Sequence, residues 1–185
     1  MAKLYRAIHH HQKGAVIVDD SLHPGYAYLL SGVANVKLHV VHIVRDPRGT
    51  AYSWAHRQKQ GLGTYPIKDS ALGWTLRNVV TELLGWQRSL PYLRVKYEDF
   101  VQQPQATVDA VLKLAQVTPR HSPFRSPSQV DLGITHSVFG NSDRLKTGPT
   151  TIHFSEGWRQ QMDPAEKRQV TLLTLPMLLH YGYRL

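Results

Sequence analysis

The sequence predicts an α/β layered fold with a parallel sheet, and three observations support that prediction. Short apolar segments rich in β-branched residues alternate with segments of helical periodicity. The run from His39 to Val44 is almost continuously apolar, which is typical of a strand buried on both faces of a parallel sheet. Proline, glycine and cap residues separate the segments. The 185 residues, 42% of them apolar, suit a single domain over 1–185 with a real core.

Four βα-like steps are predicted along the chain. The elements predicted in the first half are a helix over 3–12, a strand over Ala15–Asp19, a short helix from Pro24 to about Gly32, the strand His39–Val44 and a helix over about 48–60. Asp46 is a favourable N-cap and Pro47 a favourable first helical residue, so the last of these helices has a strong local start signal. Glycines at 61 and 63 end it, and we expect the loop that follows to lie near a substrate.

In the second half, two helices flank a strand and a further helix closes the chain. The predicted elements are a long helix from Asp69 or Ser70 to about Leu90, a strand over Leu93–Lys96, an amphipathic helix over Pro104–Val117 and a last helix to about Tyr181. A capping box over 163–166 starts the last helix and Gly182 stops it. The stretch 118–157 is rich in proline and glycine and is predicted to be irregular. Long irregular segments inside a compact domain are usually functional.

The order of strand, N-cap, proline and helix predicts an anion site at Arg45. This residue follows the apolar strand directly, so its guanidinium should lie at the carboxyl lip of the sheet. The first turn of the next helix adds backbone N–H groups and a partial positive charge at the same place. Ser53, about two turns along, can offer a hydroxyl. Such a site suits a phosphate monoester. The alternative is a plain strand-to-helix turn in which Arg45 forms a structural ion pair.

Several further segments extend this pattern along nearly the whole chain. They are Val16–Pro24, Arg45–Ser53, Leu93–Val101, His136–Arg144, Gly148-Pro149, Trp158-Arg159 and His180–Tyr183. In this order they resemble motifs of sulfotransferases that use 3′-phosphoadenosine 5′-phosphosulfate (PAPS), of the bacterial and carbohydrate type. The family motifs are vivDsSKhP, RDPR-x-x-x-x-S, lRVrYEDf, H-x-x-x-G-N-x-x-R followed by G-P and W-R, and rYGY.

The resemblance implies a P-loop-NTPase-like three-layer fold and transfer of a sulfuryl group from PAPS to a hydroxyl or amine of a small-molecule or carbohydrate acceptor. It places the 3′-phosphate on Arg45 and Ser53 and the adenine near Tyr97, and it assigns Asn141 and Arg144 to the cofactor. Tyr97 as a plain core residue and Arg144 as a solvated loop residue are the alternatives. No metal is implied.

Two departures from the family pattern bear on activity. Family members begin with a strand and a loop of the form G-x-P-R-S-G-T-T, which cradles the 5′-phosphosulfate. Here the glycines before residue 30 are Gly14 and Gly25, and neither belongs to such a loop. The chain therefore resembles the C-terminal two-thirds of the family domain, with the first strand and the phosphate loop missing. Leu22 also stands where the family often has a lysine. We expect weak binding of the cofactor's 3′ end and poor sulfuryl transfer.

The acceptor needs a base, and His23 is the candidate catalytic residue because it follows the first predicted strand. A surface histidine before Pro24 is the alternative, and His136 and Glu98 are weaker candidates. Trp158 is expected to be a packing anchor rather than a platform for substrate.

The net charge of +9 admits a third class, a basic nucleic-acid-binding module. The basic residues are dispersed rather than clustered, so no nucleic-acid partner is expected. The adjacent histidines His9–His11 lack the i, i+4 spacing of a metal site on a helix, and the chain has no cysteine. No membrane span or signal peptide is predicted, and the expected location is the cytoplasm. An inactive sulfotransferase-like protein with residual nucleotide binding is the remaining alternative.

Overall fold

The computed structural model of the protein describes residues 2–12, 16–56, 63–88, 90–119, 121–134 and 145–185. The helices in these ranges are α1 (Ala2–His11), α2 (Pro24–Ser31), α3 (Pro47–Ala55), α4 (Ile67–Arg88), α5 (Tyr97–Gln102), α6 (Pro104–Ala115), α7 (Trp158–Gln161) and α8 (Pro164–His180). The strands are β1 (Val40–Val44), β2 (Tyr92–Lys96), β3 (Phe124–Ser126), β4 (Gln129–Leu132) and β5 (Gly148–Thr151).

The protein is mixed α/β, and its parallel sheet joins β1 to β2. The register pairs Val40 with Tyr92 and Val44 with Lys96, so the two strands end together. Within the described ranges this sheet has two strands, and a three-layer P-loop-like arrangement is not established by them. The alternation of strands and helices predicted an α/β fold with parallel strands. Both the mixed α/β class and the parallel pairing of β1 with β2 are confirmed.

The strand predicted over Ala15–Asp19 is wrong over its described part. Residues 16–20 are irregular, and Val18 has 89% of its surface exposed. A parallel strand is stable when it is paired and covered, and apolar composition alone does not supply a partner. Asp19 instead accepts hydrogen bonds from the Tyr5 hydroxyl and from the backbone N–H of Ser21 (2.8 Å).

The prediction that His39–Val44 is buried on both faces is also wrong. Along β1, Val41 and Ile43 are exposed, while His42 and Val44 are buried. Helices α4 and α8 cover one face of the parallel pair, so burial alternates with the pleat.

The core lies between α3, α4, α8 and the covered face of β1. One cluster of buried residues comprises Ala51, Ala71, Trp158, Met162 and Val170. A second cluster comprises Val44, Trp74 and Tyr181. The indole N–H of Trp74 donates to the carbonyl oxygen of Arg45 (3.1 Å), so α4 holds the end of β1 directly.

The stretch 118–157 is more regular than its proline and glycine content predicts. Strands β3, β4 and β5 form a small antiparallel sheet, in which Gln129 pairs with Thr151 and Leu132 with Gly148. Pro149 lies on β5 at the edge of this sheet, where a missing N–H is tolerated. The chain after β5 leads to α7 and supplies one wall of the cleft described below.

Candidate functional site

The candidate site lies where β1 ends and α3 begins. The carboxylate of Asp46 accepts the backbone N–H of Arg48 (2.9 Å), and Pro47 is the first residue of α3. This is the predicted N-cap and proline start, and it sets Arg45 between the strand and the helix N-terminus. The local sequence is therefore sufficient to place Arg45 at the junction of β1 and α3.

The Arg45 guanidinium lies over the ring of Tyr97, with its central carbon 4.6 Å from the ring centroid. Its Nη2 donates to the carbonyl oxygen of Ser155 (3.2 Å). Among the described residues, no carboxylate lies within ion-pair distance of Arg45. Its neighbour Arg48 is the one that is paired, with Asp46 (2.8 Å), and it also donates to the carbonyl oxygen of Arg184. The described residues therefore do not form the structural ion pair that was the alternative for Arg45.

Tyr97 is the first residue of α5, and its ring lies under the Arg45 guanidinium. The adenine contact that the resemblance implies for Tyr97 stays a prediction. Its ring also stacks against Phe154, with centroids 6.3 Å apart and planes 28° apart. Phe154 is 40% exposed and was not singled out from the sequence. An aromatic residue just before a W-R motif was the signal that could have drawn attention to it.

Glu98 is held by two hydrogen bonds that serve the fold. One oxygen accepts the backbone N–H of Asp46 (3.1 Å), and the other accepts the Tyr183 hydroxyl (2.8 Å). Burial, followed by the charge of Glu98, raises the pKa of Tyr183, so this hydroxyl stays protonated and remains a donor. Because both oxygens of Glu98 are engaged, the carboxylate is poorly placed to act as a general base.

The cleft beside Arg45 is small, with a cavity of about 40 Å³. Asp46, Glu98 and Tyr183 line one side, and Ser155 and Glu156 line the other. That volume holds about one water molecule by its share of the liquid, so a nucleotide needs the walls to open. Three carboxylates border the cleft, but Asp46 and Glu156 are neutralised by Arg48 and Arg159, and Glu98 is hydrogen-bonded.

Trp158 closes the floor of the cleft. Its side chain is 7% exposed and packs against Gly49 of α3, where a Cβ would come within 2.9 Å of the indole nitrogen. Arg48 and Arg159 lie over its ring at 5.1 and 5.2 Å. The burial of Trp158 agrees with the expected packing role.

Ser53 is half-buried on α3, one turn beyond Gly49 on the same helix face. It is not among the described residues that line the Arg45 cleft. Its contact with a phosphate held by Arg45 stays a prediction.

His23 occupies the N-cap position of α2 and is exposed. Its carbonyl oxygen accepts the N–H groups of Tyr26 (2.9 Å) and Ala27 (3.2 Å). The preceding Leu22 is 83% exposed and has a φ of 61°, a left-handed conformation that is uncommon outside glycine. Neither residue is among those that line the Arg45 cleft.

Asn141 and Arg144 lie outside the described residues, as does His136. Their predicted convergence on the Arg45 cleft stays a prediction.

A second polar cluster, which sequence reasoning missed, surrounds His42 in the middle of β1. The Nε2 of this ring lies 2.7 Å from Oδ1 of Asn78, and its Nδ1 lies 2.5 Å from the Tyr92 hydroxyl. Asn78 donates its own amide to the carbonyl oxygen of Trp74 (2.7 Å), so its Oδ1 must accept from His42. Nε2 therefore carries a proton, and in the neutral ring Nδ1 accepts from the Tyr92 hydroxyl. A histidine within an apolar run was the available sequence signal.

The environment of His42 keeps it uncharged. Burial lowers its pKa most, the Asn78 hydrogen bond and the charge of Glu82 oppose that effect, and Arg94 lowers the pKa further. Glu82 is paired with Arg94 at 3.0 Å, and His180 lies near both. The cluster joins β1, β2, α4 and α8 through satisfied polar groups.

No protein-family model matches the chain, and neither a curated protein nor a solved structure gives a significant match. In the part of the chain that is described, no helix is both long and apolar enough to cross a bilayer. The same residues contain no group of three or more potential ligands placed to hold a metal ion.

Proposed function

We propose that the chain binds the 3′-phosphate end of PAPS and serves sulfuryl transfer to a hydroxyl or amine acceptor. The observation that carries the proposal is the state of Arg45. Its guanidinium lies at the carboxyl end of a parallel strand, beside the N-terminus of α3 and over the ring of Tyr97. Among the described residues it has no carboxylate partner, so its charge is available to a phosphate.

Binding requires a small exchange of contacts. The Arg45 bond to the Ser155 carbonyl is 3.2 Å long, and a phosphate oxygen is a stronger acceptor than a neutral carbonyl. Moving Ser155 and Phe154 away would enlarge the cleft and expose aromatic surface toward an adenine. The local pairing of Glu156 with Arg159 limits its repulsion of the incoming anion.

Sulfuryl transfer resembles phosphoryl transfer, in which positioning and fixed positive charge supply most of the rate enhancement. In this proposal Arg45, Tyr97 and Ser53 position the nucleotide, Asn141 and Arg144 complete the site, and His23 takes the proton of the acceptor. Leu22 supplies no cation where the family has one, which favours slow transfer. A nucleotide-binding protein without transferase activity is the second candidate, and the exposed apolar side chain of Leu22 is the observation that favours it.

The binding test compares 3′-phosphoadenosine 5′-phosphate with adenosine 5′-monophosphate by titration calorimetry at low ionic strength. The two ligands differ only in the 3′-phosphate. We expect the first to bind more tightly, and Arg45→Ala to weaken it by about 1.5–3 kcal/mol, the range for a charge-assisted hydrogen bond. Arg168→Ala removes an exposed arginine of α8 and serves as the matched control. Equal affinities for the two nucleotides, or no effect of Arg45→Ala, would count against the proposal.

The activity test measures transfer of labelled sulfate from PAPS to a panel of phenol, sugar and amine acceptors. Transfer that is abolished by Arg45→Ala supports the enzymatic proposal. Binding of the 3′-phosphorylated nucleotide without transfer to any acceptor supports the second candidate.

A further inference from the structure

A second cavity lies at the opposite end of the parallel sheet, where β1 and β2 begin. We call it the amino-end groove. Its volume is about 380 Å³, within the range of about 300–1,000 Å³ found for small-molecule sites. Its apolar walls are formed by Val36, Leu38, Leu90, Pro91 and Leu114. The groove is therefore far larger than the cleft beside Arg45 and has a different character.

Hydrogen bonds hold the walls of the amino-end groove in place. The Val40 N–H donates to the carbonyl oxygen of Pro91 (2.8 Å), which joins the segments that lead into the two strands. Nδ1 of His39 lies 2.7 Å from the carbonyl oxygen of Leu114, and because a carbonyl can only accept, this nitrogen carries the proton. Gln116 ends α6 in a left-handed conformation, with its N–H bonded to Lys113. The groove is thus formed before any ligand arrives.

The polar groups of the groove favour an anion. Among its described lining residues Lys37 is the one permanently charged side chain, and none is a carboxylate. The Gln116 amide can also donate a hydrogen bond. An ammonium and an amide at the rim of an apolar cavity complement a molecule with an apolar body and a negatively charged head.

We propose that the amino-end groove binds a small amphipathic carboxylate, with its apolar body against Leu38, Leu90 and Leu114 and its carboxylate at Lys37. This site is separate from the Arg45 cleft, because it lies at the other end of the strands. Its occupancy does not depend on nucleotide binding or on sulfuryl transfer.

The test titrates octanoate, octan-1-ol and octylammonium into the isotope-labelled 185-residue chain. The two charged ligands are kept below their micelle-forming concentrations and octan-1-ol below its solubility limit. Amide chemical shifts are followed by NMR. We expect saturable binding of octanoate, with shift changes confined to residues 36–39, 90 and 114–116. Octanol should bind more weakly and octylammonium most weakly. Octanol binding as tightly as octanoate, or shifts that spread over the surface without saturation, would overturn the proposal.

A charge-reversal variant tests the role of Lys37, which is exposed and so tolerates substitution. Lys37→Glu should weaken octanoate binding by about fivefold, the size expected when one exposed charge interaction is lost. In this variant octylammonium should bind more tightly than octanoate. Lys68→Glu makes the same charge change on α4, away from the groove, and should leave the order unchanged. Loss of octanoate binding in both variants alike would show a nonspecific effect of net charge and would refute the assignment.

Discussion

Arg45 and His42 are three residues apart on one stretch of chain, yet their polar groups are used in opposite ways. His42 is 7% exposed, and both of its ring nitrogens are within hydrogen-bond distance of fixed partners. Arg45 is half-buried at the lip, where one carbonyl oxygen and one aromatic ring hold it. The comparison shows that a buried polar group in the middle of the strand is held by internal partners, whereas the charge at the end of the strand is only partly covered.

The physical reason lies in what covers the strand. Helix α4 packs over the middle of β1, so a polar group there needs an internal partner, and Asn78 supplies it. The end of β1 meets a helix N-terminus and a small cleft, and Arg45 there is only half-buried, so its charge stays partly hydrated.

The largest expected effect is on stability and comes from His42→Ala. The substitution leaves the buried Asn78 Oδ1 without its donor, removes the partner of the Tyr92 hydroxyl and opens a cavity, which should lower the free energy of unfolding by about 2–5 kcal/mol. Urea denaturation followed by tryptophan fluorescence measures this. His121→Ala, at an exposed position, should change it by less than about 0.5 kcal/mol. A variant at His42 that unfolds at the same urea concentration as the parent protein would break the comparison.

A smaller effect should appear as pH falls. The folded-state pKa of His42 lies below the ordinary value of 6.5, mainly because the ring is buried. Below about pH 6.5 the unfolded chain therefore takes up a proton that the folded chain does not, and stability falls as the solution is acidified.

His42→Gln keeps a donor and an acceptor but cannot titrate, so its urea midpoint should depend less on pH between 7.5 and 5. Glu82 does not titrate in this range. Burial raises its pKa, but Arg94 together with His42 and Tyr181 more than offsets that effect and holds the pKa of Glu82 below its ordinary value of 4.5. Identical pH dependence in both proteins would show that His42 is not the titrating group.

The smallest effect on stability should come from Arg45→Ala. An exposed cation–π contact contributes about 0.5–1 kcal/mol, so the free energy of unfolding should fall by no more than about 1 kcal/mol. Arg48→Ala is the matched comparison, because Arg48 is 12% exposed and paired with the buried Asp46, and it should cost more. If the urea midpoint falls as far for Arg45→Ala as for Arg48→Ala, Arg45 serves the fold and the proposed phosphate site loses its main support.

The part of the site that local signals specify was predictable. An apolar run followed by Asp46 and Pro47 is enough to place Arg45 at the junction of β1 and α3. Tyr97 lies beside Arg45 in the structure, although it is 52 positions further along the chain. This contact was not predicted from the sequence, and the adenine contact implied for Tyr97 stays a prediction.

The predictions that were wrong or missing concern structure that depends on partners far away in sequence. Val16 and Val18 have strand-like composition, but nothing in the described part of the chain covers them. Strands β3–β5, in contrast, form a sheet from a segment whose composition predicts loops. The His42 cluster was missed because its partners, Asn78 and Tyr92, come from α4 and β2. No local pattern records such pairings. Asn141 and Arg144 are beyond what the described residues can decide.

The bond from the Tyr183 hydroxyl to the Glu98 carboxylate, with Val44 close by, has a consequence for the order of folding. Tyr183 and Val44 are separated by 139 positions, and Arg48 reaches the Arg184 carbonyl across 136. Closing loops of this length costs chain entropy before any contact repays it. The strand, N-cap and α3 can form early, whereas the cleft is completed only when the last residues dock. We therefore expect the Arg45 cleft to assemble late and to be lost early when the last residues detach.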